Sequence, residues 1–288
     1  MKTLKITMIA MGLVALMLTF ASNAIADTVT WTDDSAVSTG PTRGFKSPEV
    51  KRDNLMIVGT GAAASLVLGD AGSAYWKFDE GSGLEALDDT GNGYKATLFP
   101  GGAAGPTWVA GEAGHASTFL RFDRAASNYV DCGDIAELNS ASAFTIEAWI
   151  KMADSTTTNY IITKELEVSK TNITLDCSSG MIYSEVSNGT WAYGGCANPV
   201  PAGTWFHAAV VYNGSGPTNA DKLKIYVNGN KMTLTFNGTI PPTTANLSGN
   251  KLYIGANRSP VFFSGDVDDV RIYKRAISEA QIRTDAGL

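Results

Sequence analysis

From about Ala74 onward the chain is a succession of short alternating runs cut by Gly, Asn, Asp and Pro, and this pattern constrains its fold more than any other feature. Phe144, Ile146, Ala148 and Ile150 point one way, while Thr145, Glu147, Trp149 and Lys151 point the other. That period of two is the signature of a strand with one buried face. Comparable runs recur at Tyr129–Cys132, Tyr160–Lys164, Met181–Val186, Trp205–Tyr212 and Val267–Tyr273, with almost no helical periodicity between them. Many short strands at near-regular spacing predict an all-β, two-sheet antiparallel sandwich. Val227-Asn228-Gly229-Asn230-Lys231 reads as an Asn-Gly hairpin, and Ser278-Glu279-Ala280-Gln281-Ile282 as a capped helical turn near the C-terminus.

The first 72 residues differ. Lys2 and Lys5, an apolar run from Ile6 to Phe20 and the small-residue close Ala24-Ile25-Ala26 predict an export leader over 1–26, cut before Asp27. The apolar run is shorter than the ~20 residues a membrane-spanning helix needs, so the mature chain is expected to be secreted or at the cell surface, without membrane insertion. Residues 27–72 carry strand-like runs at Thr28–Thr32, Leu55–Val58 and Ser65–Leu68. They are expected to pack onto the sandwich or, as an assembly arm, to complete a neighbour's sheet edge. The sandwich itself is expected over 73–288.

The net charge of −6 argues against nucleic acid, which wants a basic face. Of the three cysteines, Cys177 and Cys196 flank a hairpin-like stretch and form the better disulfide pair, leaving Cys132 as a buried thiol. The only histidines are His115 and His207, which gives a zinc site or a Ser-His-Asp triad little material. His207 lies in a β-run and reads as a satisfied structural histidine.

Near the C-terminus, Phe263-Ser264-Gly265-Asp266-Val267-Asp268-Asp269-Val270-Arg271-Ile272-Tyr273 places Asp268, by strict alternation, on the face of Val270 and Ile272. A carboxylate there must be a ligand or a tightly hydrogen-bonded structural group. This segment resembles the closing motif of the laminin G-like, concanavalin A-like jelly rolls. The resemblance extends through Tyr75-Trp76-Lys77-Phe78-Asp79, Leu87-Asp88-Asp89-Thr90-Gly91-Asn92-Gly93, Phe144–Lys151, Trp205–Tyr212, Lys224–Gly229 and Leu252–Gly255. It implies a jelly-roll sandwich with a short strand-like N-terminal extension, and a non-catalytic module that binds a carbohydrate or glycoconjugate, often with a structural calcium. The alternative is a structural subunit of an extracellular filament or cell-surface assembly that exchanges residues 27–72 between subunits.

Three candidate sites follow. Asp88 and Asn92, in a loop that the resemblance brings near the final strand, are expected to hold Ca2+ with Asp268; the competing reading is an ordinary Asx turn. Trp191 and Tyr193, in the Gly-rich run 187–195, and Asn257 with Arg258 are the candidate glycan contacts, with Asn159 and Tyr160 as weaker ones. The competing reading packs Trp191 under a Cys177–Cys196 bridge. For catalysis, no Glu-x-Asp-x-x-Glu strand exists, and Glu165-Leu166-Glu167 lacks the middle carboxylate, so no enzyme activity is expected.

Overall fold

The computed structural model describes residues 73–165, 172–257 and 261–288, together with the strand backbone at 5–10, 14–19, 28–32, 55–58 and 63–68. The chain divides into two units, Met1–Ala71 and Gly72–Leu288. In the first unit β1 (Lys5–Ala10) pairs with β2 (Val14–Thr19), and β5 (Ala63–Leu68) lies between β3 (Thr28–Thr32) and β4 (Leu55–Val58), all antiparallel. The expected leader and assembly arm fall in this unit and, beyond that strand backbone, lie outside the described residues.

The second unit is the sandwich. Its eight-stranded sheet runs β19 (Asn230–Lys231), β18 (Leu223–Val227), β17 (Phe206–Asn213), β12 (Ala143–Met152), β22 (Gly265–Tyr273), β10 (His115–Phe122) and β9 (Thr107–Glu112), with β6 (Ala74–Trp76) also pairing with β22. The nine-stranded sheet runs β20 (Thr235–Asn237), β16 (Tyr193–Ala197), β15 (Met181–Glu185), β14 (Asn172–Ser178), β13 (Asn159–Glu165), β21 (Leu252–Ile254), β11 (Tyr129–Asp131), β8 (Ala96–Phe99) and β7 (Glu85–Ala86). The pairings in both sheets are antiparallel, as the alternation predicts.

The inward residues make one core. Phe144, Ile146, Ala148 and Ile150 of β12 join Trp76, Val267, Val270, Leu98, Val130, Ile162, Leu175, Ile182 and Ile254, all buried. Each large apolar side chain moved from water into this layer contributes about 1.5–3 kcal/mol, which is what the alternating sequence encodes. The Asn-Gly hairpin is present: Asn228 and Gly229 both have positive φ (46° and 69°) between β18 and β19, as a type I′ turn requires. The capped turn is α1 (Glu279–Asp285), with the Ser278 side chain accepting from the Gln281 N–H. Its Ile282 packs with Ile277, Tyr226 and Tyr273 on the outer side of the eight-stranded sheet.

One strand departs from strict alternation. The register between β12 and β22 shifts between Glu147↔Arg271 and Trp149↔Asp268, and Asp269 takes a positive φ of 50°. This is a β-bulge, and it exchanges the two faces of the strand. Val267 before it and Val270 and Ile272 after it all point inward, so Asp268 does not share their face. The bulge also marks where β22 changes neighbour, from β10 at residues 265–267 to β6 at 270–272.

Candidate functional site

The outer face of the nine-stranded sheet carries the most distinctive surface chemistry. Adjacent residues run across it in register: Tyr160 of β13 lies beside Asp176 of β14, Asp176 beside Tyr183 of β15, and Tyr183 beside Gly195 of β16. Gly195 has a steric reason to be glycine, because a Cβ there would overlap the Tyr183 ring. The ring therefore lies over bare backbone. Tyr193 meets Tyr183 edge-on at 5.7 Å, and Trp191 packs on Tyr193 at 5.1 Å and 49°.

Trp191 is 47% exposed despite those contacts. Its indole N–H donates to Glu185 Oε1 at 2.6 Å, and Asn172 Nδ2 donates to Glu185 Oε2 at 2.7 Å. The carboxylate thus fixes the indole and leaves part of the ring in solvent. The loop beneath is closed by Ser187, whose hydroxyl donates to the Ala192 carbonyl and accepts the Ala192 N–H.

Asp176 is sunk between its two tyrosine neighbours, only 8% exposed. Burial, helped by the charge of Glu185, pushes its carboxyl up to about 7 against the hydrogen bond from Thr174, whose hydroxyl donates to Oδ1 at 2.7 Å. Burial likewise pushes the Tyr160 phenol up to about 12, with Asn257 near enough to oppose the shift. Asn257 in turn accepts the Val261 N–H at 3.2 Å. The expected contacts Trp191 and Tyr193 lie on this face, and so does Tyr160 of the weaker Asn159–Tyr160 candidate, with Asn257 of the Asn257–Arg258 candidate beside it. Arg258 lies outside the described residues. Asn159 is structural: it is buried and accepts from Arg124 Nη2 at 2.7 Å. The same face carries a second aromatic group that alternation alone did not single out, with Tyr129 stacked on Phe99 at 5.3 Å and edge-on to Tyr253 at 5.6 Å.

The expected disulfide is absent: Cys132, Cys177 and Cys196 are all free and buried. Cys177 and Cys196 pair with opposite sides of Ile182, two strand spacings or ~9.6 Å apart, beyond the reach of a disulfide. Burial raises both thiols, that of Cys196 to about 11. Trp191 therefore does not pack under a bridge.

The calcium set is not assembled. Asp88 Oδ1 accepts the N–H groups of Tyr75 and Thr90, each at 3.0 Å, and Oδ2 accepts the Tyr94 N–H at 3.2 Å. The Thr90 hydroxyl lies 2.7 Å from both oxygens, and Asn92 donates its amide N–H to the Ser73 carbonyl. Asp268 faces elsewhere, with Oδ2 at 2.7 Å from both His115 Nε2 and the Ser117 hydroxyl. Among the described residues no group of three or more acidic, His or Cys side chains converges as a metal cage. A hard cation needs several free oxygens converging on one point; Asp88 spends both of its own within the loop, and the free Asp268 Oδ1 belongs to the carboxylate held by His115 and Ser117, so this donor set does not fit one.

The eight-stranded sheet offers two other polar sites. A groove of about 400 Å³ is lined by Arg121, Lys151, Ser264 and Asp266. Its charges neutralise one another: Asp266 takes Arg121 through two hydrogen bonds and Lys151 at 3.1 Å. Glu147 and His207, both fully buried, sit 3.8 Å apart, and among the described residues neither side chain has a hydrogen-bond partner. His207 is thus buried but not satisfied, contrary to expectation, and burial lowers it to about 3, with Arg271 adding to the effect. Burial also raises Glu147, so neither is placed to work on a substrate.

The family model of the laminin G-like domains, described as the concanavalin A-like lectin/glucanases superfamily, matches residues 124–283. The chain belongs to that superfamily. Solved structures share its fold at low identity. Domain 4 of AbnA, a GH43 extracellular arabinanase from Geobacillus stearothermophilus, in complex with arabinotriose, is 21% identical with a TM-score of 0.55, covering 74% of this chain and 97% of that one. The binding domain of Paraclostridial Mosquitocidal Protein 1 is 15% identical (TM-score 0.56), covering 75% of this chain and 52% of its own. The binding domain of Botulinum Neurotoxin DC in complex with SialylT is 13% identical (TM-score 0.54), covering 76% and 51%. The chain spans about half the length of these toxin domains. No curated protein matches it in sequence.

Proposed function

We propose that this protein is an exported, non-catalytic carbohydrate-binding module whose glycan stacks on Trp191 and Tyr193. The observation that carries the reading is the exposed indole held in place by Glu185. An apolar ring left in water, yet oriented by a hydrogen bond at its polar edge, matches the apolar face of a sugar ring at little entropic cost. The relatives support it, since one is a domain in complex with arabinotriose and others are toxin binding domains. Export rests on the leader at 1–26.

The test is a glycan array probed with the wild type and Trp191→Ala. The side chain is half exposed and outside the core, so the variant should keep the wild-type Tm and lose at least about tenfold in glycan affinity. A variant that binds like the wild type, or a wild type that binds no glycan, overturns the reading.

A further inference from the structure

We infer that Asp176 is the hydrogen-bonding centre of this face, and that the ligand is an oligosaccharide lying across strands β13 to β16, from Tyr160 to Trp191. This rests on the carbohydrate-binding reading and goes further: it names a second contact point and the size of the ligand. Three observations support it.

First, Asp176 is a buried carboxyl with an unused oxygen. Oδ1 accepts the Thr174 hydroxyl, and Oδ2 has no partner among the described residues. The residue keeps 8% of its surface exposed, which leaves that oxygen open to solvent and within reach of a ligand hydroxyl. Second, its neighbours are rings rather than charges. Tyr160 and Tyr183 flank it in register, and Gly195 lets the Tyr183 ring lie on the sheet. A carboxylate between two aromatic faces matches a sugar, which presents hydroxyls at its edge and C–H groups on its faces. Third, the rings are continuous. Tyr183, Tyr193 and Trp191 touch in sequence, so the exposed indole and the sunken carboxylate belong to one surface. From β13 to β16 is three strand spacings, about 14 Å. That span is longer than one sugar ring and suits a short oligosaccharide.

The carboxylate form accepts two hydroxyls; the protonated form loses part of that capacity. The titratable groups facing Asp176 are Tyr160 from β13 and Glu185 and Tyr183 from β15. Burial holds the Tyr160 phenol above the working range, and the raised carboxyl of Asp176 sets the pH response.

The experiment uses the wild type, Asp176→Asn and Tyr160→Ala on an array of neutral oligosaccharides of one to six units, arabinotriose included, at pH 8 and pH 5.5. Asp176→Asn keeps the acceptor for Thr174 and the shape of the site, so it should fold. It is expected to lose about tenfold in affinity at pH 8. Wild-type binding should weaken at pH 5.5, and the Asn variant should show little pH dependence. Affinity should rise from one to about three units and then level off. If the wild type binds and Asp176→Asn binds equally well, or if monosaccharides bind as tightly as trimers, this inference is overturned while the carbohydrate-binding reading stands. If the wild type binds no sugar, both are overturned.

Discussion

Asp88 decides between a metal-dependent and a self-sufficient loop, and the structure permits a worked prediction. Its carboxylate accepts three backbone N–H groups, from Tyr75, Thr90 and Tyr94, and contacts the Thr90 hydroxyl. It joins the loop at 88–94 to β6, whose Trp76 bridges to Asp88 through the backbone and lies fully buried in the core. A hydrogen bond to a charged acceptor contributes about 1.5–3 kcal/mol, and losses within one network are not additive. With the loop partly open to water, Asp88→Ala should cost about 3–4 kcal/mol. Asp88→Asn keeps one acceptor for Tyr75 and Thr90 but turns an NH2 toward the Tyr94 N–H, so it should cost about 1–2 kcal/mol. For a domain of this size the Ala variant should melt about 10 °C lower. The assay is thermal and urea unfolding followed by tryptophan fluorescence, in 5 mM calcium and then in chelator, conditions chosen so that any cation effect on Tm is visible. The expected result is the order wild type, Asn, Ala, with no response to calcium in any of the three. An Ala variant within about 1 kcal/mol of wild type would refute the hydrogen-bond reasoning. A wild type that loses several degrees in chelator, while the variants do not respond, would show that Asp88 holds a cation after all.

Three further outcomes are expected. Gly265→Ala should abolish folding or leave only aggregated protein, because φ is 148° there and a Cβ would overlap the Lys151 carbonyl; a soluble variant with wild-type circular dichroism would contradict this. The thiols should be silent toward Ellman's reagent in the native protein and all three should react in denaturant, with no change in Tm on adding reductant; fewer than three reactive thiols would restore the disulfide. Asp176→Asn should be more stable than the wild type at pH 8 and converge with it toward pH 4. The folded carboxyl titrates near 7, above its ordinary 3.8, so its contribution to stability is fully present below that ordinary value and is lost as pH rises through about 7. Parallel Tm–pH profiles for the two proteins would overturn the assignment.

The fold was legible because the core is written in a period the eye can follow, and β12 shows why. Its apolar residues occupy every second position without interruption, and the structure buries them together. The same rule misplaced Asp268, since a bulge exchanges faces within two residues and Asp269 is not a glycine that would advertise a positive φ. The disulfide failed for a related reason: distance in sequence is visible, whereas the number of intervening strands is not, and β15 separates the two cysteines. The exposure of Trp191 was findable because aromatic residues in a Gly-rich run are hard to bury. Asp176 and Tyr183 were missed although a signal existed. Asn172, Thr174 and Asp176 alternate with Ile173 and Leu175, which puts a carboxylate on the face opposite the core. What the alternation could not reveal is that Tyr160 and Tyr183 arrive from neighbouring strands to enclose it.

Asp88 and Asp176 together give a criterion for separating structural carboxylates from functional ones in this fold. Both are shielded from solvent to some degree, yet the chain treats them oppositely. Asp88 is surrounded by donors that suit its charge, so removing it should cost stability, and that cost is its explanation. Asp176 receives one hydroxyl, keeps an oxygen unused and is destabilised by burial when charged, so replacing it by Asn should gain stability at neutral pH. A residue that the folded state would be better off without is retained for another reason, and strain of this kind collects at binding sites. The two measurements on Asp176→Asn must therefore move in opposite directions, stability up and glycan affinity down. A purely structural role cannot produce that pair of results, and neither can a neutral surface position.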